Sequence, residues 1–207
     1  DLLEELNHPN LKSELINLLG HASSSVRVSV LEKIERIKPQ QARKSLVEHI
    51  PQENIPNNRR AAVQAFSALS ADDINLILPY LNSNNEANTF GALVGLLKYG
   101  GEDGLSISKE KLEKLAGHPL PAKRLLAAQT LRRFGSQGFE GLLEKLLDDP
   151  EIKVRREALL AAGTGKQNTN WFKVINAMKN PSTRAQAAQA LEMGGEASLP
   201  FIAITLT

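Results

Sequence analysis

Cysteine is absent from this sequence of 207 residues. Its absence excludes disulfide frameworks, thiolate zinc sites and cysteine nucleophiles, and it is compatible with a reducing compartment. Aromatic residues are scarce, at 4% of the chain, whereas sheets and sandwiches favour aromatic and β-branched side chains. The apolar residues are mostly Leu and Ala, which are good helix formers. These shortages predict an all-α fold without covalent cross-links.

Long apolar runs and a strong charge of one sign are missing as well. No run of about 18 apolar residues is present, so the sequence predicts no membrane-spanning segment. The formal net charge is +2, which selects no class of partner. The chain begins at Asp1 rather than Met, and its last segment stops within an apolar pattern. We interpret both ends as boundaries within a larger protein.

An internal repeat with a period of about 30 residues runs along the chain. Each copy has an anchor residue, followed three, six and seven positions later by residues that are mostly small or apolar, and these positions share one helix face. The anchors are Arg27, Arg59, Thr89, Arg124, Arg155 and Arg184. A second apolar stretch follows each anchor helix, at residues 42–50, 74–81, 111–116, 142–147, 171–178 and 199–206. The period therefore predicts repeated helical hairpins.

A single helical hairpin cannot cover its own apolar face, so neighbouring hairpins must stack to form a continuous core. The sequence predicts an α-α superhelix, a repeat solenoid of about six hairpins, preceded by a partial unit at residues 1–7 and 11–19. No linker interrupts the pattern, so we expect a single domain over residues 1–207. Thr89 in place of arginine, together with Gly91 and Gly95, predicts an irregular third repeat.

The repeat resembles the HEAT repeats, in particular the short HEAT-like type first described in phycobilisome lyases. The residues that carry the resemblance are Glu151, Val154, Arg155 and Ala158 in one copy, and Arg184, Ala187, Ala190, Leu191 and Gly195 in another. The resemblance implies the solenoid fold but specifies no function, because the same repeat serves lyases, scaffolds, nucleic-acid binders and regulatory arms.

A narrower resemblance concerns residues 96–104 and the repeats that end at residues 180–184. These stretches look like a bacterial arrangement in which a HEAT domain follows a transporter-like membrane domain related to the ATP/ADP translocases. The resemblance implies a cytoplasmic arm, tethered to the inner membrane through a flanking domain that would carry the transport activity. No transporter residue lies within this sequence.

Candidate catalytic motifs are weak. The segment Gly163, Thr164, Gly165 and Lys166 lacks the first glycine and the Ser/Thr of a phosphate loop, and it follows a predicted helix rather than a strand. The four histidines, His8, His21, His49 and His118, show no metal-ligand spacing, and we expect them in turns at the surface. We therefore predict no catalytic residue, no metal site and no cofactor.

The recurrent arginines are the clearest structural candidates. In a regular stack, Arg27, Arg59, Arg124, Arg155 and Arg184 recur at one place in each repeat. A guanidinium can donate to several carbonyls or carboxylates of the adjoining unit. The HEAT resemblance implies such an arginine ladder, and we predict that Arg155→Ala destabilises the fold by about 1–3 kcal/mol.

Positive charge is concentrated in residues 122–184, which we name the basic sector and which contain 12 basic and 6 acidic residues. Family resemblance places second helices on the concave face of such solenoids. Lys145, Lys173 and Lys179 fall on predicted second helices, and they are candidate partner contacts together with Trp171, the only tryptophan. Trp171 also forms an apolar stripe with Ile175 and Met178, which favours core packing. A solvated charged face is the simplest interpretation of the sector.

Three functions are compatible with these observations. The favoured one is a non-enzymatic scaffold that binds a protein partner or spaces neighbouring domains of the same chain. The alternative is nucleic-acid binding by the basic sector, as in the HEAT-like DNA glycosylases, although stacking platforms for bases need more aromatics than this chain has. The least favoured is an enzyme of the bilin-lyase type, because no acid–base constellation is evident.

Overall fold

The computed structural model describes residues 10–165 and 170–205. Every regular element in these ranges is helical. The chain divides into two compact units, Asp1–Ser108 and Lys109–Thr207, and each is described by itself. The single domain expected from the sequence stays a prediction.

The first unit consists of a series of helices joined by short turns. Its α-helices are α1 (Leu11–Asn17), α2 (Ser24–Ile37), α3 (Ala42–His49), α4 (Pro56–Leu69), α5 (Leu78–Leu81), α6 (Glu86–Tyr99) and the first half of α7 (Gly101–Ala116). The anchor helices α2, α4 and α6 pack side by side, and α3 and α5 each pack against the anchor helix that follows. The core of this unit is therefore the row of anchor helices.

The second unit repeats the same arrangement. Beyond the second half of α7 it contains α8 (Pro121–Phe134), α9 (Glu140–Leu147), α10 (Ile152–Gly163), α11 (Trp171–Ala177), α12 (Arg184–Gly194) and α13 (Leu199–Thr205). The anchor helices α8, α10 and α12 form the row, and α9 and α11 pack against the next anchor helix. Helical hairpins stacked side by side confirm the predicted all-α class. Residues 1–7 and Leu206, part of the predicted segments, lie outside the described residues.

Turn chemistry sets where the anchor helices begin. Asn85 precedes α6, and its side-chain oxygen accepts the N–H of Ala87 at 2.9 Å. Pro56 and Pro121 open α4 and α8, where a missing N–H costs nothing because the first turn has no intrahelical acceptor. These signals fix the starts of α4, α6 and α8, each of which begins three residues before its anchor Arg59, Thr89 or Arg124.

The anchor helix of the third repeat is more regular than the sequence suggested. This helix, α6, runs without interruption over Glu86–Tyr99. Gly91 and Gly95 face α4 at very close range: a Cβ added at Gly91 would lie 2.6 Å from the carbonyl oxygen of Arg60 and 2.7 Å from Cβ of Val63, and one at Gly95 would overlap the side chain of Ser67. These glycines therefore permit close helix packing and leave the anchor helix unbroken, whereas the second helix of this repeat, α7, is 16 residues long, against 8 in α3 and α9.

The substitution Gly95→Ala is expected to lower the free energy of unfolding by about 1–3 kcal/mol through overpacking, although alanine is the better helix former by about 1 kcal/mol. The matched control is Gly141→Ala in α9, where an added Cβ meets nothing within 4 Å. We expect the control to stabilise the protein by up to about 1 kcal/mol. Urea unfolding of both variants measures the difference, and equal effects would contradict the close approach of α4 and α6.

A polar cluster joins the three anchor helices of the first unit. Glu35 on α2 accepts hydrogen bonds at 2.6 Å from the amide of Gln64 on α4 and from the hydroxyl of Tyr99 on α6, and one at 3.2 Å from Lys98. Burial by itself raises the pKa of Glu35, but these donors outweigh burial and lower its pKa below the ordinary value. The cluster holds α2 against both α4 and α6.

None of the helices within residues 10–165 and 170–205 is both long and apolar enough to cross a bilayer.

Candidate functional site

Each anchor side chain donates to the backbone carbonyl six positions earlier, in the turn that enters its own helix. The pairs are Arg27 with His21, Arg59 with Glu53, Thr89 with Ser83, Arg124 with His118, Arg155 with Asp149 and Arg184 with Met178, at distances between 2.6 and 3.1 Å. These bonds satisfy turn carbonyls that have no helical partner. Thr89 thus reproduces with a hydroxyl the bond that arginine makes elsewhere.

Two of the arginines also bind a carboxylate in the next turn along the chain. Arg27 donates through Nε and Nη2 to the two carboxylate oxygens of Glu53, at 2.7 and 3.0 Å. Arg124 binds Asp149 in the same two-point way, at 2.6 and 2.9 Å. The backbone carbonyls of Glu53 and Asp149 accept from the following anchors, Arg59 and Arg155. Each acid therefore links two successive repeats.

Both acids are buried, which determines how they titrate. The side chains of Glu53 and Asp149 are 1% and 4% exposed. Burial by itself raises the pKa of Glu53, but the hydrogen bonds from Arg27 and from the N–H of Ile55 outweigh burial and lower its pKa to about 2. The same balance, with Arg124 and the N–H of Glu151 as donors, lowers the pKa of Asp149. Both carboxylates remain ionised at neutral pH.

Three of the four histidines lie within the described residues, in turns or against the core. His21 and His118 accept through Nδ1 the N–H groups of Ser23 and Leu120, each at 3.0 Å. His49 is largely buried, with Nε2 3.5 Å from a carboxylate oxygen of Glu53, and burial lowers its pKa. Two histidines thus lie in turns as expected, whereas His49 does not. His8 lies outside the described residues.

Two further possibilities are a metal site and the phosphate-loop-like segment at residues 163–166. Within the described part of the chain, no cluster of three His, Asp or Glu side chains could hold a metal ion. Gly163 ends α10 and packs on α12, where an added Cβ would lie 2.8 Å from Cα of Ala190. That contact explains the glycine by helix packing, and Lys166 of the same segment lies outside the described residues.

The four predicted partner contacts have different surroundings. Trp171 is 1% exposed and its indole lies against Gly194, so we remove it from the candidate contacts. Lys173 binds the carboxylates of Glu144 at 3.0 Å and Asp148 at 2.5 Å, which joins α11 to α9. The hydrogen bond with Asp148 is the main reason that the pKa of Lys173 is raised.

Lys145 and Lys179 are exposed, and neither binds a carboxylate within the described residues. Elsewhere in the basic sector, Arg124 and Arg155 bind the ladder groups, Arg132 binds Glu157 at 3.1 Å, and Arg156 donates to the carbonyl of Ser182 at 2.7 Å. Much of the positive charge in this sector is therefore held by internal partners.

Exposed apolar side chains on second helices were missed by sequence reasoning. Phe172 is 50% exposed, and its ring meets that of Phe201 edge to face at 5.2 Å. Leu199 and Ile204 on α13 are 58% and 62% exposed. The available signal was the helical period, because Phe172 follows the buried Trp171 and so points away from the core.

An open cavity of about 380 Å³ lies between the second half of α7 and α9. Phe139 and Leu142 form its apolar wall, and Lys109 and Lys145 border it together with the carboxylates of Glu113 and Glu140. Its charge is balanced, so the cavity does not by itself select an ion.

Stacked hairpins tied by an arginine ladder define this chain as a helical-repeat protein of the all-α class. No family model matches it, and no curated protein matches it. The HEAT assignment therefore stays a prediction based on sequence resemblance.

Two solved structures are similar to the chain. An engineered protein shares 15% identity over 90% of this chain and 97% of its own, with a TM-score of 0.45. Human deoxyhypusine hydroxylase shares 12% identity over 93% of this chain and 87% of its own, with a TM-score of 0.43. Identity and TM-score are too low for either likeness to carry information on function.

Proposed function

We propose that this chain is a non-enzymatic scaffold that binds a protein partner through second helices of its second unit. The observation that carries the proposal is a set of exposed side chains on α9, α11 and α13, which we name the second-helix surface: Lys145, Phe172, Leu199 and Ile204. Three of them are large and apolar, and exposed apolar side chains that form a patch mark interaction sites.

The second-helix surface is held rigid by contacts beneath it. The salt bridges of Lys173 fix α11 to α9, and the ring contact between Phe172 and Phe201 fixes α13 to α11. A rigid surface loses little entropy when a partner binds, and a half-exposed aromatic ring is a typical anchor. The cavity beside Lys145 adds room for one inserted side chain.

Affinity capture with surface variants tests the proposal. The paired change Lys145→Glu and Phe172→Ser is expected to abolish recovery of a specific protein partner from the source cell. The matched control is Lys44→Glu with Val47→Ser on α3, where Val47 is 46% exposed and Lys44 is also exposed. Loss with the first pair and retention with the control supports the scaffold, whereas identical recovery from all three proteins removes this surface from consideration.

A more specific version makes the scaffold the cytoplasmic arm of a bacterial membrane protein related to the ATP/ADP translocases. It rests on the sequence resemblance at residues 96–104 and 180–184. The open reading frame around this segment tests it. Several upstream runs of about 20 apolar residues would support it, and flanks made only of further repeats would remove it.

Nucleic-acid binding by the basic sector remains the alternative. The internal partners of Arg124, Arg132 and Lys173 weaken it, because cations held by carboxylates release few counterions on binding a phosphate backbone. Recovery of nucleic acid instead of protein in the capture experiment would favour this alternative.

A further inference from the structure

Three ladder arginines hold the same pose towards the turn before their helix. In Arg27, Arg124 and Arg155, Nη1 donates to the carbonyls six and five positions earlier. For Arg155 these are the carbonyls of Asp149 at 2.6 Å and Pro150 at 3.0 Å. The opposite edge of each guanidinium, made of Nε and Nη2, therefore points to the equivalent place in each repeat.

The Nε and Nη2 edge of the guanidinium binds a carboxylate in the repeats of Arg27 and Arg124. The carboxylate belongs to Glu53 at Arg27 and to Asp149 at Arg124. At Arg155 the same edge binds none of the described residues. An arginine fork matches a carboxylate through two parallel hydrogen bonds, as the other two repeats show directly.

The sequence explains why the edge is open at Arg155. Asp149 follows Arg124 by 25 residues, and the residue at the same distance after Arg155 is Asn180. The turns match: Asp149 and Asn180 each precede a proline, and each side-chain oxygen accepts the N–H two residues later at 2.9 Å. An amide has one oxygen and no charge, and that oxygen is already used by the turn. Asn180 therefore leaves Arg155 without its acid.

The same part of the second unit holds a cavity of about 220 Å³. Arg155, Lys173 and Asn180 border it, and Leu147 and Leu159 contribute an apolar wall. Asp148 also borders it, but its carboxylate is bound by the ammonium of Lys173 at 2.5 Å. The space suits a carboxylate on a short apolar stem, with the charge on Arg155 and the stem against the leucines.

We infer that Arg155 and this cavity form a binding site for a carboxylate group supplied from outside the ladder. The bound carboxylate occupies at Arg155 the position that the carboxylate of Asp149 occupies at Arg124 in the preceding repeat. It comes either from a glutamate or aspartate side chain of a protein or from a free small organic acid. The site does not depend on the second-helix surface, so either can fail without the other.

Arginine side-chain NMR provides the direct test. The Nε–Hε signals of ¹⁵N-labelled protein are followed during titration with three ligands: acetate, glutamate blocked at its backbone amino and carboxyl groups, and glutamine blocked in the same way. Chloride keeps the ionic strength constant. We expect a saturable shift of the Arg155 signal, assigned from Arg155→Lys, with acetate and blocked glutamate but not with blocked glutamine. Tighter binding of blocked glutamate identifies a protein side chain as the source, and tighter binding of acetate identifies a free acid.

The substitution Asn180→Asp supplies the missing acid from within the chain. It is expected to raise the melting temperature and to weaken acetate binding at least about tenfold, because the new carboxylate occupies the edge. The control is Asn57→Asp, the same change at an exposed position of α4, which should leave the titration unchanged. An Arg155 signal that does not saturate, or that responds equally in Asn180→Asp, overturns the inference. Both variants keep Arg155 and its carbonyl bonds, so a failure to fold cannot imitate either result.

Discussion

The substitution Arg124→Ala is expected to lower the free energy of unfolding by about 3–5 kcal/mol. It removes both bonds to Asp149, whose side chain is 4% exposed, and strands that carboxylate in the core. It also removes the Nη1 group that donates hydrogen bonds to the backbone carbonyls of His118 and Pro119. Breaking one side of a buried ion pair costs more than the pair itself contributes, because the remaining charge has no solvent.

The internal comparison for this prediction is Arg155→Ala. Arg155 makes the same carbonyl bonds but binds no carboxylate within the described residues. Its loss is therefore expected to cost only about 1–3 kcal/mol. Urea unfolding of both variants, of Asp149→Ala and of Arg124→Ala combined with Asp149→Ala gives the cost of each loss and the coupling energy of the Arg124–Asp149 pair. A double variant that loses the full sum of the two single effects would mean that the pair is not coupled.

Acidification is expected to remove about 3 kcal/mol of stability through Glu53 alone. The folded protein keeps Glu53 ionised until its pKa of about 2, whereas the carboxyl ordinarily titrates near 4.5. The contribution is therefore complete above about pH 4.5 and is lost as the pH falls towards 2. The physical cause is the two-point bond from Arg27, which exists only with the ionised form.

The free energy of unfolding at a series of pH values, compared with Glu53→Gln, measures this contribution. The difference in free energy of unfolding between the two proteins should be largest at neutral pH. It should disappear as the pH falls from about 4.5 towards 2. Glu48→Gln changes an exposed carboxylate on α3, five residues before Glu53, and should follow the unsubstituted protein at every pH. A gap that stays constant with pH would show that Arg27 does not hold the ionised form.

The arginine ladder could be predicted in position but not in geometry. The period of the sequence located Arg27, Arg59, Arg124, Arg155 and Arg184. It did not reveal that their carbonyl partners lie in their own turns, because that depends on the path of the chain before each helix. It also did not separate Arg124 from Arg155. The difference lies in Asp149 and Asn180, which belong to the next turn.

For the candidate partner contacts, too, the sequence predicted the helix on which most of these residues lie but not the contacts they make. Composition and spacing placed Lys145, Lys173 and Lys179 on second helices, and Lys145 and Lys173 lie in α9 and α11. Which lysines remain exposed was decided by the neighbouring helix, since Glu144 of α9 and Asp148 directly after it bind Lys173. Trp171 and Phe172 are adjacent in sequence, yet one is buried and the other half-exposed. The stripe of Trp171 with Ile175 and Met178 indicated which face of the helix is buried, and the packing of α11 on α12 set how far Phe172 is exposed.

The sequence by itself determined the helical class, the period and the repeated anchor, because these depend on residue spacing along one helix and on turn chemistry that acts over a few residues. The tertiary structure decided which acids are buried against arginine, which glycines bring helices into contact, and which arginine faces an open cavity. Those properties belong to pairs of residues about 25 or more positions apart. No local signal encodes them, because the approach of two side chains is set by how the helices between them pack.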